Sequence, residues 1–367
     1  MNQAFYKLAA ALKQREDSNL LREAKLRTSN IDFSSNDYLG LAKENAHFNA
    51  PQGAGSSRLI SGYSSELAET EKQLASIYQG ETATLFNAGF EANYGLFEML
   101  TSQGINVLYD EHIHASIRSA LQGARVQTWS FKHNDPTDLA AKLARIHTPV
   151  AVVTEGLFSM SGTISPLEEM SALKAKFDFL FIVDEAHSAG TIGKGLLGRT
   201  GQLKVIDSVD VRIHTFGKAL GSQGACIVGN TTLQSALWNF CKPLIYSTAP
   251  SPLFIASVKS AHKKFSESAE VRAKLDSNIA YFSAQIAAKT GFTQGLTGPI
   301  QWWSGTSLEQ TLSTAEMLRE EGFDVVAIRQ PTVQQGKEGI RICLHAFNNN
   351  TQIDQLVMHF VKQQVVY

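Results

Sequence analysis

Short apolar runs alternate with stretches of helical spacing between about residue 80 and residue 183. An apolar run bounded by turn residues predicts a buried strand, and apolar positions three and four residues apart predict an amphipathic helix. The predicted strands cover residues 82–86, 106–109, 126–131, 150–154 and 179–183. The predicted helices cover residues 91–100, 114–122, 136–146 and 167–177. This alternation predicts an α/β fold whose mostly parallel sheet is covered by helices on both faces.

The pattern changes after Pro250, where a long helical stretch at 252–289 leads into short strands at 324–328 and 340–344. We interpret this part of the chain, together with the N-terminal segment, as a second and smaller unit. The predicted organisation is an N-terminal segment at 1–45 that packs with the small domain, a large domain at 46–250, and a small α+β C-terminal domain at 251–367.

Composition limits the function more than the fold. The 367 residues carry 33 basic and 34 acidic side chains without a block of like charge, which argues against a nucleic acid or an anionic membrane as partner. No apolar run approaches the ~20 residues that span a bilayer. The three cysteines are far apart, which fits neither a disulfide framework nor a metal site. We therefore expect a cytoplasmic protein with a small-molecule substrate and no metal.

Ligands of parallel α/β sheets bind beyond the carboxyl ends of the strands, so the residues after each predicted strand are candidates for chemistry. Gly89 precedes a helix whose N-terminal N–H groups and dipole favour a phosphate, although a glycine before a helix is more often just a turn. His112 and His114 follow the next strand. Either imidazole can stack on a flat aromatic ligand or cap a helix, and their spacing alone favours a surface or capping role.

Asp184 ends an apolar strand and is followed by His187. A carboxylate at the mouth of a buried strand is costly unless it meets a cation or several donors. The protonated pyridine nitrogen of pyridoxal 5′-phosphate is such a cation, and its charge makes the ring an electron sink. A helix cap is one alternative. A Walker B-type metal-binding acid is another, but the chain lacks the Gly-x-x-x-x-Gly-Lys-Ser/Thr loop that accompanies it.

Lys218 lies among small residues after a further strand end. Gly217 and Gly221 are expected to leave room for a bulky ring, and Thr215 offers a hydroxyl to a phosphate. A lysine beside a desolvated cationic ring can have its pKa lowered enough to form a Schiff base and to transfer protons. A single lysine is usually a solvated surface charge. Together with Asp184, however, Lys218 predicts a pyridoxal-phosphate enzyme.

Ordered matches along nearly the whole chain resemble the α-oxoamine synthases, a branch of the fold-type I pyridoxal-phosphate enzymes. Two of the matching segments are Asp184-Glu185-Ala186-His187 and Thr215-Phe216-Gly217-Lys218, and the others lie at residues 32–41, 53–58, 61–63 and 155–160. The resemblance implies a transferase with a mostly parallel seven-stranded sheet in its large domain. It also implies a homodimer whose active sites are shared between the subunits.

The resemblance assigns catalytic and cofactor-binding roles to the candidate residues. It implies that Lys218 holds the cofactor covalently and that Asp184 pairs with the pyridine nitrogen. His114 is expected to stack on the ring face. His187 and Ser159 are expected to hydrogen-bond near the phenolic oxygen of the ring.

The same resemblance assigns the phosphate end of the cofactor. Gly89, Phe90 and Thr215 are expected to lie at this end. Ser247 or Thr248 is expected to reach the phosphate bound by the partner subunit. This last expectation ties cofactor binding to the homodimer.

Arg341 matches the arginine with which the family binds a substrate carboxylate, and Asn36 is expected to assist it. A bidentate guanidinium suits that task. Arg15, Arg22 and Arg27 are the candidates for the arginine that relatives use near the acyl substrate. The resemblance therefore implies an amino acid and an acyl-CoA as the two substrates.

The implied reaction is a decarboxylative condensation that releases coenzyme A and carbon dioxide. Lys218, once free of the cofactor, removes the α-proton of the amino acid. The match at Gly62-Tyr63 favours the branch that uses L-alanine and pimeloyl-CoA. The alternatives are an α-oxoamine synthase that uses glycine or serine with another acyl thioester, an aminotransferase of the same fold, and a non-catalytic cofactor-binding or sugar-sensing protein.

Overall fold

The computed structural model of the chain describes residues 2–22, 24, 30–43, 46–291 and 296–362. Its α-helices, labelled α1 to α13 in chain order, are Gln3–Asp17, Ser65–Ile77, Gly89–Ser102, Ala115–Leu121, Pro136–Leu143, Leu167–Ala172, Gly198–Leu203, Thr231–Phe240, Lys242–Tyr246, Pro252–Glu267, Ala269–Thr290, Leu308–Glu320 and Asn350–Lys362. Its β-strands, labelled β1 to β12, are Ile31–Asp32, Thr82–Phe86, Asn106–Asp110, Thr128–Phe131, Val150–Glu155, Leu180–Asp184, Val211–Thr215, Ala225–Gly229, Ile300–Ser304, Phe323–Asp324, Val326–Ile328 and Gly339–Cys343.

A seven-stranded sheet with the order β2-β8-β7-β6-β5-β3-β4 forms the centre of the molecule. Strands β4, β3, β5, β6 and β7 are parallel to one another, whereas β8 runs antiparallel to both β2 and β7. The predicted mostly parallel, seven-stranded α/β fold is therefore confirmed. The sequence pattern did not predict β8, because no helix separates it from β7 and the prediction depended on strand–helix alternation.

The apolar runs of the sequence become strands that are buried on both faces. Every residue of β5 is buried, and the last four residues of β6 are buried as well. Helices α3 and α4 pack on one face of the sheet, and α5 and α6 pack on the other. Burial on both faces explains why these strands read as continuous apolar runs without alternation.

The carboxyl ends of four parallel strands lie at one edge of the sheet and carry polar residues. Asp110 ends β3, Glu155 ends β5, Asp184 ends β6 and Thr215 ends β7. Glu155 lies directly beside Asp184 in the strand register. This edge is therefore the place where the chemistry predicted from the sequence can converge.

The C-terminal part differs from the prediction in its details. The single helical stretch predicted at 252–289 is wrong, because Ser268 leaves helical geometry between α10 and α11. The single strand predicted at 324–328 is also wrong. Its first half, β10, pairs with β1, and its second half, β11, pairs with β12. Strand β9, which pairs with the other edge of β12, was not predicted.

The N-terminal segment packs with the C-terminal part of the chain. Parallel pairing of β1 with β10 joins Ile31 to Phe323, and one apolar core includes residues from both ends of the sequence. Its largest members are Phe33, Tyr38, Phe282, Trp303, Phe323 and Phe360. These contacts agree with the predicted grouping of the N-terminal segment with the small domain. We keep the domain boundaries, 1–45, 46–250 and 251–367, as a proposal.

Helix α1 stands apart from this core, since each of its residues is exposed. Among the residues that the structure describes, no helix combines the length and the apolar character that crossing a bilayer requires.

The buried side chain of His262 predicts that the folded protein loses stability in acid. His262 Nδ1 lies 2.8 Å from the Val258 carbonyl oxygen, and its Nε2 lies 3.0 Å from the Tyr78 hydroxyl. Burial lowers the pKa of His262 from 6.5 to about 4. Below pH 6.5 this histidine is protonated in the unfolded chain, whereas in the folded chain it is protonated only below about pH 4. The free energy of unfolding therefore falls by about 3 kcal/mol as the pH drops across this window.

Urea unfolding at about pH 7 and about pH 4.5 measures this effect. We expect His262→Gln to lose clearly less stability between the two pH values than the wild type does. The glutamine amide retains one donor for Val258 and one acceptor for Tyr78. Equal losses in the two proteins would assign the acid sensitivity to other groups.

Candidate active site

A cavity of about 320 Å³ opens at the polar edge of the central sheet. Most of the residues predicted for cofactor or substrate binding line it together. These residues are Asn36, Gly89, Phe90, His114, Asp184, His187, Thr215 and Lys218. Residues from the sheet, from the start of α3 and from the N-terminal segment therefore meet at one site.

Lys218 follows β7 and points its amine into this cavity. Its Nζ donates a hydrogen bond to Thr215 Oγ1 at 2.9 Å. Burial lowers the pKa of Lys218, although the negative charges of Asp184 and Glu155 oppose this shift. A lowered pKa increases the fraction of neutral amine, which is the nucleophilic and basic form.

The two glycines beside Lys218 have different roles. Gly217 lines the cavity, and a Cβ atom placed on it would have no neighbour closer than 3.5 Å, as the sequence analysis expected. The same expectation is wrong for Gly221. Its φ of +61° is left-handed, and a Cβ atom there would lie 2.2 Å from the backbone nitrogen of Ala42. Gly221 therefore permits close backbone packing and provides no room for a ring.

Asp184 is almost fully buried at the end of β6, with 3% of its surface exposed. Its Oδ1 accepts a hydrogen bond from the Ala186 N–H at 2.9 Å, and its Oδ2 accepts one from Asn93 Nδ2 at 2.8 Å. The helix-cap alternative for Asp184 is wrong, because the next helix, α7, begins at Gly198. The carboxylate is held rigidly at the cavity wall, where it can stabilise a cation.

His114 both caps α4 and lines the cavity, so its two possible roles are compatible. Its Nδ1 accepts a hydrogen bond from the Ser116 N–H at 3.2 Å, which leaves the ring proton on Nε2. Burial lowers the pKa of His114, and the charge of Lys218 lowers it further, against the effect of Asp184. His112 instead stacks on His133, with the ring centroids 4.1 Å apart.

His187 is buried and lines the cavity. Its Nδ1 lies 2.7 Å from the Tyr38 hydroxyl. Burial holds the pKa of His187 well below its usual range, and the positive charges of Lys218 and Arg341 add to this effect. The imidazole is therefore neutral at the pH of a cell.

Arg341 extends from β12 toward the same site. Its Nη2 donates to Asn36 Oδ1 and its Nη1 donates to the Ser159 carbonyl oxygen at 3.3 Å. The guanidinium is buried, with 8% of the residue exposed. Asn36 and Arg341, which are far apart in the sequence, thus form a hydrogen-bonded pair next to the cavity.

The model of the family described as aminotransferase class I and II matches residues 28–360. The chain belongs to the aminotransferase class I and II family. The chain is also similar to the 8-amino-7-oxononanoate synthase of Vibrio vulnificus, with 33% identity over 97% of both chains.

Solved structures extend this comparison of the aminotransferase-family chain. Serine palmitoyltransferase from S. paucimobilis, with a bound PLP–myriocin aldimine, matches with a TM-score of 0.86 and 25% identity over 98% of this chain and 97% of that one. An 8-amino-7-oxononanoate synthase from Francisella tularensis matches with a TM-score of 0.75 and 26% identity over 92% and 98%. The resemblance to the α-oxoamine synthases of fold type I is confirmed.

The chain is accordingly a pyridoxal-phosphate-dependent acyltransferase of the aminotransferase class I and II family. The residues of the cavity fit this cofactor. Asp184 offers a buried carboxylate to the ring nitrogen, and Lys218 offers an amine with a lowered pKa. At the end of the cavity predicted to hold the phosphate, a Cβ atom on Gly89 would lie 2.6 Å from Thr215 Cγ2, so the start of α3 can approach Thr215 because residue 89 is glycine.

Ser247 and Thr248 do not line the cavity of their own chain. They line a separate, water-sized space with Arg58 and Glu91, behind the start of α3. The Thr248 carbonyl oxygen accepts a hydrogen bond from Asn87 Nδ2 at 3.1 Å. Their expected contact with the cofactor of a partner subunit stays a prediction.

Glu155 and Asn93 are polar residues of the cavity that were not predicted as site residues. Glu155 lines the cavity beside Asp184, and burial and the charge of Asp184 hold its pKa well above its usual range. Its Oε2 accepts a hydrogen bond from the Ser159 N–H at 3.3 Å, whereas Oε1 has no hydrogen-bond partner among the described residues. The rule that selected Asp184, an acid at the end of an apolar strand, also applies to Glu155. Asn93 lies within α3 and gave no such signal.

The candidates for an arginine near the acyl substrate have separate locations. Arg15 lies in the last turn of the exposed helix α1. Arg22 Nη2 donates a hydrogen bond to Thr332 Oγ1 at 3.0 Å. Arg27 lies outside the described residues.

Proposed function

We propose that this enzyme condenses L-alanine with pimeloyl-CoA, or with a pimeloyl thioester of a carrier, to give 8-amino-7-oxononanoate, a free thiol and carbon dioxide in biotin biosynthesis. One observation carries the proposal: the cavity joins the amine of Lys218 and the carboxylate of Asp184 to the buried pair of Asn36 and Arg341. A cofactor site and a carboxylate site side by side suit an amino acid. The relatives named 8-amino-7-oxononanoate synthase support the choice of alanine and pimeloyl thioester.

The substrate carboxylate is bound and oriented by Arg341, with Asn36 beside it. Bound pyridoxal 5′-phosphate supplies an electron sink for negative charge at the α-carbon of the amino acid. Asp184 keeps a positive charge on the ring nitrogen favourable, since a buried carboxylate stabilises a neighbouring cation. His114 lines the cavity, and its lowered pKa keeps the imidazole neutral, so it adds no competing charge.

Lys218 is the base of the proposed reaction. As a neutral amine it accepts the α-proton at Nζ, and it later returns a proton to the same carbon after carbon dioxide has left. The Thr215 hydroxyl, 2.9 Å from Nζ, keeps the amine within the cavity. The lowered pKa of Lys218 matches this task, because a base works best when its pKa lies near the working pH.

A pair of arginines, Arg22 and Arg329, supports the proposal that the acyl substrate ends in a carboxylate. Arg329 Nη2 donates to the Leu21 carbonyl oxygen at 2.8 Å, and Arg22 donates to Thr332. Burial lowers the pKa of Arg329, and the nearby charge of Arg22 lowers it further. Among the described residues, no carboxylate pairs with either guanidinium, and Arg329 Nε has no hydrogen-bond partner. Two neighbouring guanidinium groups favour an anionic ligand over an alkyl chain.

Replacing Arg22 with alanine is expected to raise the KM for pimeloyl thioester by about tenfold, because one charge-assisted hydrogen bond to the distal carboxylate is lost. The KM for octanoyl thioester, which has no distal carboxylate, should not change. Steady-state kinetics with the two thioesters measures both values, and Arg145→Ala, at an exposed arginine just after α5, is the control. Equal increases for both acyl chains would rule out carboxylate recognition by Arg22.

We also infer a cytoplasmic homodimer with shared sites. Helices α3 and α9 pack together with the turn at Arg58–Gly62, and this surface exposes several large apolar side chains. They are Leu59, Ile60, Phe90, Tyr94 and Tyr246. Exposed large apolar side chains on elements that pack together are typical of an interface. Ser247 and Thr248 follow α9 directly and are thus well located to serve a partner subunit.

A substrate panel tests the proposed function. The purified holoenzyme is mixed with alanine, glycine or serine and with pimeloyl, acetyl or palmitoyl thioester, while thiol release and the amino ketone product are measured. We expect turnover with alanine and pimeloyl thioester. The high TM-score of serine palmitoyltransferase makes serine with palmitoyl thioester the second candidate, and preferred turnover of that pair would replace the proposal. Pyruvate formed from alanine alone would instead indicate an aminotransferase.

A further inference from the structure

We propose that Tyr38 is a positioning residue that fixes the tautomer of His187 and thereby links the carboxylate site to the cofactor site. The inference rests on the proposed function in one respect, namely that His187 faces the phenolic oxygen of the bound cofactor. Tyr38 itself does not line the cavity. It would act through His187.

The contact between the two side chains is buried and short. Tyr38 is fully buried, and its hydroxyl oxygen lies 2.7 Å from His187 Nδ1. The same hydroxyl lies 3.4 Å from Asn36 Oδ1. Asn36 Oδ1 also accepts a hydrogen bond from Arg341 Nη2. One chain of contacts therefore runs from the arginine through the amide and the phenol to the imidazole.

These distances decide where the hydroxyl proton lies. A distance of 2.7 Å is typical of a strong hydrogen bond from a hydroxyl, whereas 3.4 Å is beyond the usual range. Asn36 Oδ1 already accepts a hydrogen bond from the guanidinium of Arg341. The Tyr38 hydroxyl therefore donates to His187 Nδ1, and a neutral imidazole that accepts at Nδ1 carries its proton on Nε2.

The charges around His187 keep the ring neutral. Lys218, Arg341 and His114 are the titratable groups that act on it, besides the hydroxyl of Tyr38. Burial and the two cations hold the pKa of His187 well below its usual range. The ring thus presents a fixed N–H donor, and protonation does not supply a second one.

An N–H donor that faces the phenolic oxygen of the cofactor favours the ionised form of that oxygen. Without the Tyr38 hydroxyl, Nδ1 would lack its partner and the ring could carry its proton on either nitrogen. The donor to the cofactor would be weakened as a result. The apparent pKa of the bound cofactor should rise.

The test compares Tyr38→Phe with Tyr78→Phe in the holoenzyme. Tyr78 is a matched control, because it is also fully buried and its hydroxyl lies 3.0 Å from a buried histidine, His262 Nε2, away from the cavity. The absorbance of the bound cofactor is titrated against pH without any substrate. We expect the apparent pKa to rise by about one pH unit in Tyr38→Phe and to stay at the wild-type value in Tyr78→Phe. Equal pKa values in all three proteins would overturn the inference.

A double variant shows whether Tyr38 acts through His187. If it does, the titration of His187→Asn and that of Tyr38→Phe/His187→Asn should coincide, because the second change then removes nothing further. A shift that adds on top of the His187→Asn shift contradicts the inference.

A measurement on the unmodified protein covers the case in which Tyr38→Phe does not fold. Nitrogen-15 NMR of histidine-labelled wild type, with His187→Asn for assignment, reports which ring nitrogen carries the proton. A protonated Nε2 supports the inference, and a protonated Nδ1 overturns it. Neither the titration nor the NMR experiment uses an amino acid or a thioester. A wrong substrate assignment would therefore leave both results intact.

Discussion

Replacing Lys218 with alanine is expected to reduce turnover by about 10³-fold or more, since the variant loses the base that moves the α-proton. The cofactor should still bind, because Asp184, Thr215 and the start of α3 remain, but without a covalent link. Borohydride reduction followed by denaturation should then leave the cofactor attached to the wild type and not to the variant. Turnover is measured with alanine and pimeloyl thioester.

Lys263→Ala provides the matched control for Lys218→Ala. The Lys263 side chain is 76% exposed on α10 and lies near Glu267. Its removal should change neither turnover nor cofactor attachment. If Lys218→Ala kept turnover within about tenfold of the wild type, the role of base would have to pass to another residue.

Asp184→Asn is expected to lower turnover by about 10²-fold or more and to weaken cofactor binding, since a buried carboxylate that stabilises the ring cation becomes a neutral amide. The substitution should leave the fold intact. Asparagine retains an acceptor for the Ala186 N–H. Asn93 can turn its free Oδ1 toward the new amide, because this oxygen has no partner among the described residues.

The control variant for Asp184→Asn is Asp210→Asn, which also replaces a carboxylate with an amide. Asp210 precedes β7, at the opposite end of the strand from Thr215, and its carboxylate accepts from Lys174 Nζ at 2.5 Å and from the Phe181 N–H at 2.6 Å. We expect this variant to lose some stability but to keep its turnover and its affinity for the cofactor. Titration of each apoprotein with pyridoxal 5′-phosphate gives the affinities. Equal losses in Asp184→Asn and Asp210→Asn would mean that the effect of Asp184 is one of folding.

The central sheet could be predicted because its strands are local patterns. The predicted strand at 82–86 coincides with β2, and the one at 106–109 is one residue shorter than β3. The rule that ligands bind at the carboxyl ends of parallel strands predicted that Asp184 and Lys218 lie close together, and both line the cavity. These predictions depend on spacing along a short stretch of chain, which the fold preserves.

Features that depend on distant contacts could not be predicted from spacing. Nothing in the sequence around Gly221 indicates the close approach to Ala42 that requires a glycine at this position. The break at Ser268 interrupts a stretch whose composition favours continued helix. Asn36 and Arg341 have no shared local pattern, and only the resemblance to a known family selected them. Their pairing is a property of the tertiary structure.

The distribution of the site residues along the chain has a consequence for biosynthesis of the protein. The cavity residues from Asn87 to Gly224 leave the ribosome as one stretch, whereas Arg341 follows more than a hundred residues later. Domains fold as they emerge, and contacts that close long loops form late. A nascent chain can therefore assemble a pocket for the cofactor before it can recognise an amino acid. The competence to hold the coenzyme would precede the competence to use it.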